Sequence, residues 1–136
     1  MDQQRFDQDL AQCKELLRAH QFAEALTVAQ RLFEQDEENM PLHMLLATLY
    51  ARCDRMLEAL SHYMLLVQFD PAFEEHHCRE LAVVYYNKGL TEAAAILAHG
   101  GAVKLESQPL YELALDFYTQ AGNMEAAEQV RTELTA

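Results

Sequence analysis

Glycine and proline are scarce, four and three copies in 136 residues. The stretches between them are built from Ala, Leu, Glu, Gln and Met, which are strong helix formers. Few segments alternate in the manner of a strand. Val83-Val84-Tyr85-Tyr86 has β propensity, but it lies within Leu81, Val84, Tyr85 and Lys88, whose apolar spacing is helical. Basic residues are also few, ten against 22 acidic ones, for a net charge of −12. That balance opposes non-specific binding to nucleic acid and to anionic membranes. No apolar run reaches the length of a bilayer span; the longest, Leu42 to Ala51, contains His43 and Thr48. Met1-Asp2-Gln3-Gln4-Arg5 lacks the basic-then-apolar pattern of a signal peptide. Three dispersed cysteines, Cys13, Cys53 and Cys78, form no CxxC and fit small buried side chains of a reduced, cytoplasmic protein. The two serines, Ser61 and Ser107, lie outside any GxSxG, and there is no P-loop or GxGxxG. Glu37-Glu38 and Glu74-Glu75 fall at predicted helix ends, where solvation and the helix dipole account for them. The expectation is a non-enzyme without a cofactor.

What the chain does have is a period. Ala25, Ala59, Ala93 and Ala127 stand 34 residues apart, with Glu24, Glu58 and Glu92 before the first three. Phe22, Met56, Leu90 and Met124 precede the alanines by three residues. A fixed period of this size marks stacked repeats. Breakers fall between the apolar runs: Asp54-Arg55, Asp70-Pro71, Gly89, Pro109 and Gly122-Asn123. Pro71 cannot continue a helix, Thr91 can cap the helix after Gly89, and Pro109 suits a first turn. The pattern predicts eight helices in four antiparallel pairs, over about 6–19 and 22–36, 40–53 and 56–69, 74–88 and 91–104, and 109–121 and 124–134. Gly100-Gly101 is expected to fray or bend the sixth helix. One domain, 1–136, would hold units of about 6–39, 40–73, 74–107 and 108–136.

The unit from Met40 to Phe73 resembles a tetratricopeptide repeat: Leu46, Ala47 and Tyr50 match its first helix, Ala59, Tyr63 and Leu66 its second, and Pro71 its closing proline. His43 stands where that family favours tryptophan. In the first unit Cys13, Leu16, Ala25, Ala29 and Leu32 fit, with Asp9 and Gln12 in place of large apolar residues. In the third, Ala93 and Leu97 fit, while the first helix fits one residue out of step through Leu81, Ala82 and Tyr85. In the fourth, Tyr111, Leu115, Tyr118, Gly122, Ala127 and Leu134 fit, and Arg131 replaces an aromatic. The polar faces of Asp7, Gln8, Asp9 and Gln12, and of Glu125, Glu128, Gln129, Arg131 and Glu133, read as caps of a short, complete array. The resemblance implies an all-α, right-handed solenoid whose first helices line a concave groove for a peptide or helical segment of a partner.

Carried over by position, that groove comprises Leu10, Lys14, Leu17 and Arg18 from the first unit and Met44, Thr48, Ala51 and Arg52 from the second. The third adds Cys78, Arg79, Ala82, Tyr85 and Tyr86, and the fourth Glu112, Asp116 and Thr119. Tyr85 and Tyr86 cannot both face inward on one helix, and Tyr86 is the better anchor. Four of the ten basic residues, Lys14, Arg18, Arg52 and Arg79, map to the groove. The expected ligand therefore combines apolar anchors with acidic groups. Asparagines of the family's clamp for C-terminal carboxylates have no counterpart here. His43 and His77, with His76 and Cys78, invite a zinc reading, but no HxxxH or CxxC supports it, so His43 is read as an interhelical packer and no metal is expected. Two alternatives stay beside the binding module: a small acidic chaperone of a secretion system, and a structural subunit of a homo-oligomer or larger assembly.

Overall fold

The computed structural model describes residues 3–136, and these form eight α-helices and no strand. In chain order they are α1 (Gln3–Arg18), α2 (Phe22–Gln35), α3 (Met40–Arg52), α4 (Met56–Phe69), α5 (Glu75–Asn87), α6 (Thr91–Leu105), α7 (Gln108–Ala121) and α8 (Met124–Thr135). No helix is long and apolar enough to cross a membrane, among the described residues. The chain divides into two compact units, Met1–Tyr63 and Met64–Ala136, with the division inside α4.

The repeat is visible in the backbone. Each turn within a pair carries one residue of positive φ: His20 (60°), Asp54 (61°), Gly89 (82°) and Gly122 (79°). In each turn the next residue donates its N–H five residues back, Gln21 to Leu16, Arg55 to Tyr50, Leu90 to Tyr85 and Asn123 to Tyr118, at 2.8–3.0 Å. This is the Schellman stop, in which a left-handed residue lets the chain satisfy carbonyls left over at the helix end. The first N–H of each following helix to bond back belongs to Ala25, Ala59, Ala94 and Ala127. All four are fully buried. The structural spacing is thus 34, 35 and 33, and Ala94, not Ala93, takes the repeated place in the third pair. The unbroken spacing through Ala93 hides a one-residue displacement.

Local chemistry sets the other boundaries. Asn39, Ser107 and Asn123 accept the N–H groups of Leu42, Leu110 and Ala126 at 3.0, 3.3 and 3.1 Å, capping α3, α7 and α8. Asp70 accepts the N–H of Ala72 at 2.9 Å in the turn that follows α4. Thr91 does not cap α6; it is the first helical residue, after Leu90. Gly100 and Gly101 do not break α6, which runs on to Leu105 and stops at Glu106 in the left-handed region.

In the first unit, Phe6 and Cys13 of α1 pack with Ala25, Leu26, Ala29 and Leu32 of α2 and Leu42, Leu46 and Leu49 of α3. In the second unit, α6 packs against both α5 and α7, and α7 against α8. Gly101 makes the close approach possible: a Cβ there would lie 2.8 Å from Cys78 Sγ and 3.2 Å from Leu110 Cδ1. Residues one repeat apart touch directly in this unit. Tyr86 Oη donates to Gln120 Oε1 at 2.8 Å, and His99 Nε2 meets Glu133 Oε2 at 2.7 Å.

Candidate functional site

The first helices of the pairs carry the expected groove residues. On α1, Leu10, Lys14 and Arg18 follow one another at four-residue spacing, so they share a face. Leu10 packs on the core, Lys14 is exposed, and exposed Arg18 is ion-paired to Glu15 on its own helix. Met44, Thr48 and Arg52 repeat that spacing on α3. Met44 is exposed, and Thr48 donates its hydroxyl to the Met44 carbonyl at 2.9 Å. The Arg52 guanidinium lies 5.7 Å from the centre of the Phe22 ring, beside an open depression of about 430 Å³ lined also by His20, Glu24 and Cys53.

On α5 the placement differs from the expectation. Cys78 and Tyr85 are 1% and 0% exposed, so neither offers surface to a ligand. The stripe Cys78, Ala82, Tyr85 faces inward, as its i, i+4, i+7 spacing allows, and Cys78 packs against Gly101 of α6. One residue further on, Arg79, Val83 and Tyr86 form an exposed stripe of α5, with Val84 also exposed beside it. Arg79 is paired with Glu75 at 2.5 Å. Two of the four cations expected in a groove, Arg18 and Arg79, are therefore locally neutralised, and Arg52 rests on an aromatic ring.

Tyr86 is held in place at its ring and at its hydroxyl. Its ring stacks on buried Phe117, with centroids 4.8 Å apart and planes 16° from parallel. Its hydroxyl is bound by Gln120, whose amide Nε2 donates in turn to Asp116 Oδ2 at 3.1 Å. It remains 37% exposed. Glu112, Asp116 and Gln120 form an exposed stripe on α7 at four-residue spacing, and Thr119 turns its hydroxyl back to the Leu115 carbonyl at 2.7 Å.

A second polar cluster lies in the first unit and was half-missed by the sequence. His43, 2% exposed, has Nε2 at 2.7 Å from the Glu37 carbonyl and Nδ1 at 2.9 Å from Nδ1 of His62. A carbonyl only accepts, so His43 carries its proton on Nε2 and His62 donates from Nδ1. His62 stacks on Tyr50 with planes 13° from parallel, and Phe33 meets both imidazoles edge-on. Burial first, and then His43, hold the His62 pKa below the ordinary histidine value. His43 is an interhelical packer as expected, but with two polar contacts; nothing in the spacing singled out His62. His77 accepts the Glu74 N–H at 3.1 Å and serves the start of α5. No three His, Cys, Asp or Glu side chains converge to hold a metal ion among the described residues. Burial pushes the thiols of Cys13 and Cys78 up to about 11, so neither is a ready nucleophile near neutral pH.

No known family model matches the chain, and no characterised protein is significantly similar to it in sequence.

Proposed function

We propose that the chain is a protein-binding module of the tetratricopeptide kind, a right-handed solenoid of four helix pairs that acts in the cytoplasm without catalysis, cofactor or metal. The first helices of the pairs hold a peptide or helical segment of a partner. The observation that carries this reading is Tyr86. An exposed aromatic whose ring and hydroxyl are both fixed costs little ordering entropy on binding, which is what makes such residues anchors. Met44 and Val83 add exposed apolar surface on α3 and α5. Acidic groups of the ligand would fall to Lys14 and Arg52, the two expected cations without a carboxylate partner on their own helix. The test is capture of partners from a cell extract by the wild-type chain and by Tyr86→Ala. A chain retained by the first and lost by the second, with unchanged circular dichroism, supports the reading; equal capture by both sinks it.

A second reading, a subunit of an assembly or a chaperone that holds its client on another face, draws on the second helices of the pairs. Leu57 and Phe69 of α4 and Val103 of α6 are 64%, 66% and 51% exposed. Light scattering on the purified chain separates the two: a concentration-independent monomer removes the homo-oligomer.

A further inference from the structure

We propose that the face shared by α5 and α7 takes a basic side chain, an arginine, from a protein partner, seated on the Tyr86 ring and paired with the Asp116 carboxylate. The inference rests on the protein-binding reading and assigns the ligand's charge at this face, opposite to the acidic ligand expected from the sequence.

The hydrogen bonds decide the polarity. The Tyr86 hydroxyl spends its proton on Gln120, and the Gln120 amide spends one of its protons on Asp116. What the relay turns to an incoming group is therefore mainly acceptors: the second oxygen of Asp116, the lone pairs of the phenol and the π face of its ring. An anion meets repulsion there. A cation meets partners throughout.

The charges agree. α5 and α7 carry Glu75, Glu80, Glu112 and Asp116. Against them stands Arg79, engaged by Glu75, with Lys88 just past the end of α5. Glu112 and Asp116 are exposed on the same stripe as Gln120. A chain of net charge −12 also draws cations at long range. Arginine fits better than lysine, because a planar guanidinium stacks on a ring and bonds a carboxylate in the same pose. Phe117 covers the inner face of Tyr86, so the stack is built before the ligand arrives.

The test uses the full chain, labelled with nitrogen-15, and three acetylated, amidated decapeptides of alternating residues: arginine–leucine, citrulline–leucine and glutamate–leucine. The arginine peptide is expected to shift the amide signals of Tyr86, Asp116 and Gln120, with an affinity that falls as salt rises. Asp116→Asn keeps the oxygen that Gln120 binds and removes only the charge. It should weaken the arginine peptide by fivefold or more, and Tyr86→Leu should do the same, both with unchanged melting curves. If the citrulline peptide binds equally well, or Asp116→Asn leaves the arginine peptide unaffected, the proposal falls. Should the glutamate peptide shift these signals instead, the charge assignment is wrong while the protein-binding reading stands. The extract capture with Tyr86→Ala judges that reading separately.

Discussion

Two adjacent glycines in α6 should respond oppositely to the same substitution. In a helix interior, Gly→Ala gains roughly 1 kcal/mol from backbone entropy alone. At Gly100 the new methyl would meet the Cε of Met64 at 2.9 Å, with the next atoms at 3.8 and 4.0 Å. Met64 is half-buried and its terminal methyl turns about a free torsion, so it can give way. Gly100→Ala is expected to stabilise by about 0.5–1 kcal/mol. At Gly101 the methyl would meet Cys78 Sγ at 2.8 Å, Cys78 Cβ at 3.1 Å and Leu110 Cδ1 at 3.2 Å. Cys78 and Leu110 are 1% and 0% exposed and have nowhere to go. Overpacking of this kind costs typically 1–3 kcal/mol, which exceeds the helix gain. Gly101→Ala is expected to destabilise by about 1 kcal/mol net, and the two variants to differ by about 1.5–2 kcal/mol.

Urea unfolding of the full chain, followed by circular dichroism, measures both, provided the slope against denaturant stays constant. Cys78→Ala in the Gly101→Ala background removes the nearest atom and should recover part of the loss, giving a non-additive cycle. If both glycine variants stabilise alike, α6 is not packed this closely against α5 and α7.

Acidification should also weaken the fold through His62. A histidine with a depressed folded pKa binds less proton when folded than when unfolded. Its contribution is therefore whole above the ordinary histidine pKa near 6.5 and is lost as pH falls below it, by at most about 1.4 kcal/mol per pH unit. His62→Gln, which can still donate to His43, should flatten that slope in urea melts between about pH 5.5 and 8; an unchanged slope places the titration elsewhere. His20→Gly should stabilise by about 0.5–1 kcal/mol, since His20 holds a left-handed turn that glycine adopts freely, and Gly89→Ala should lose about as much. Thermal melts check both signs. Ala59→Leu should destabilise by about 1–3 kcal/mol, because Ala59 is fully buried where α4 begins. A thiol reagent at pH 8 should label half-buried Cys53 well before Cys13 and Cys78; early labelling of either buried thiol would show the fold opens there.

The helix pattern was legible because three kinds of signal agreed: apolar spacing, helix propensity and breakers. Seven of the eight helices lie within one residue of their expected spans, and α1 begins three residues earlier, at Gln3. Caps were read less well. Ser107 was weighed only as a nucleophile, yet it caps α7, and its neighbour Glu106 takes the left-handed stop of α6. Thr91 looked like a cap because it follows Gly89, but Leu90 intervenes, its N–H already bound to the Tyr85 carbonyl. His62 escaped notice for a different reason. Its contact with His43 joins two helices, and no spacing within either one encodes it.

The candidate face was misjudged through one residue of register, and the cause is instructive. Three consecutive alanines, Ala93, Ala94 and Ala95, are all buried in α6, so the composition tolerates either frame and the sequence period continues unbroken through Ala93. The backbone chooses the other frame: Gly89 supplies the left-handed turn one residue later than a strict repeat would place it. A one-residue shift turns a helix by about 100°. That is enough to move Cys78 and Tyr85 from the expected groove into the core, while Val83, Val84 and Tyr86 stay exposed. The first helix had already hinted at this, since Leu81, Ala82 and Tyr85 match the repeat only when displaced by one. The acidic ligand was expected from Lys14, Arg18, Arg52 and Arg79, of which α5 carries only the last. In the observed frame its exposed aromatic is tied through Gln120 to a carboxylate, and Arg79 is already satisfied by Glu75. The charge proposed for this face thus rests on contacts between α5 and α7, which spacing within α5 does not encode.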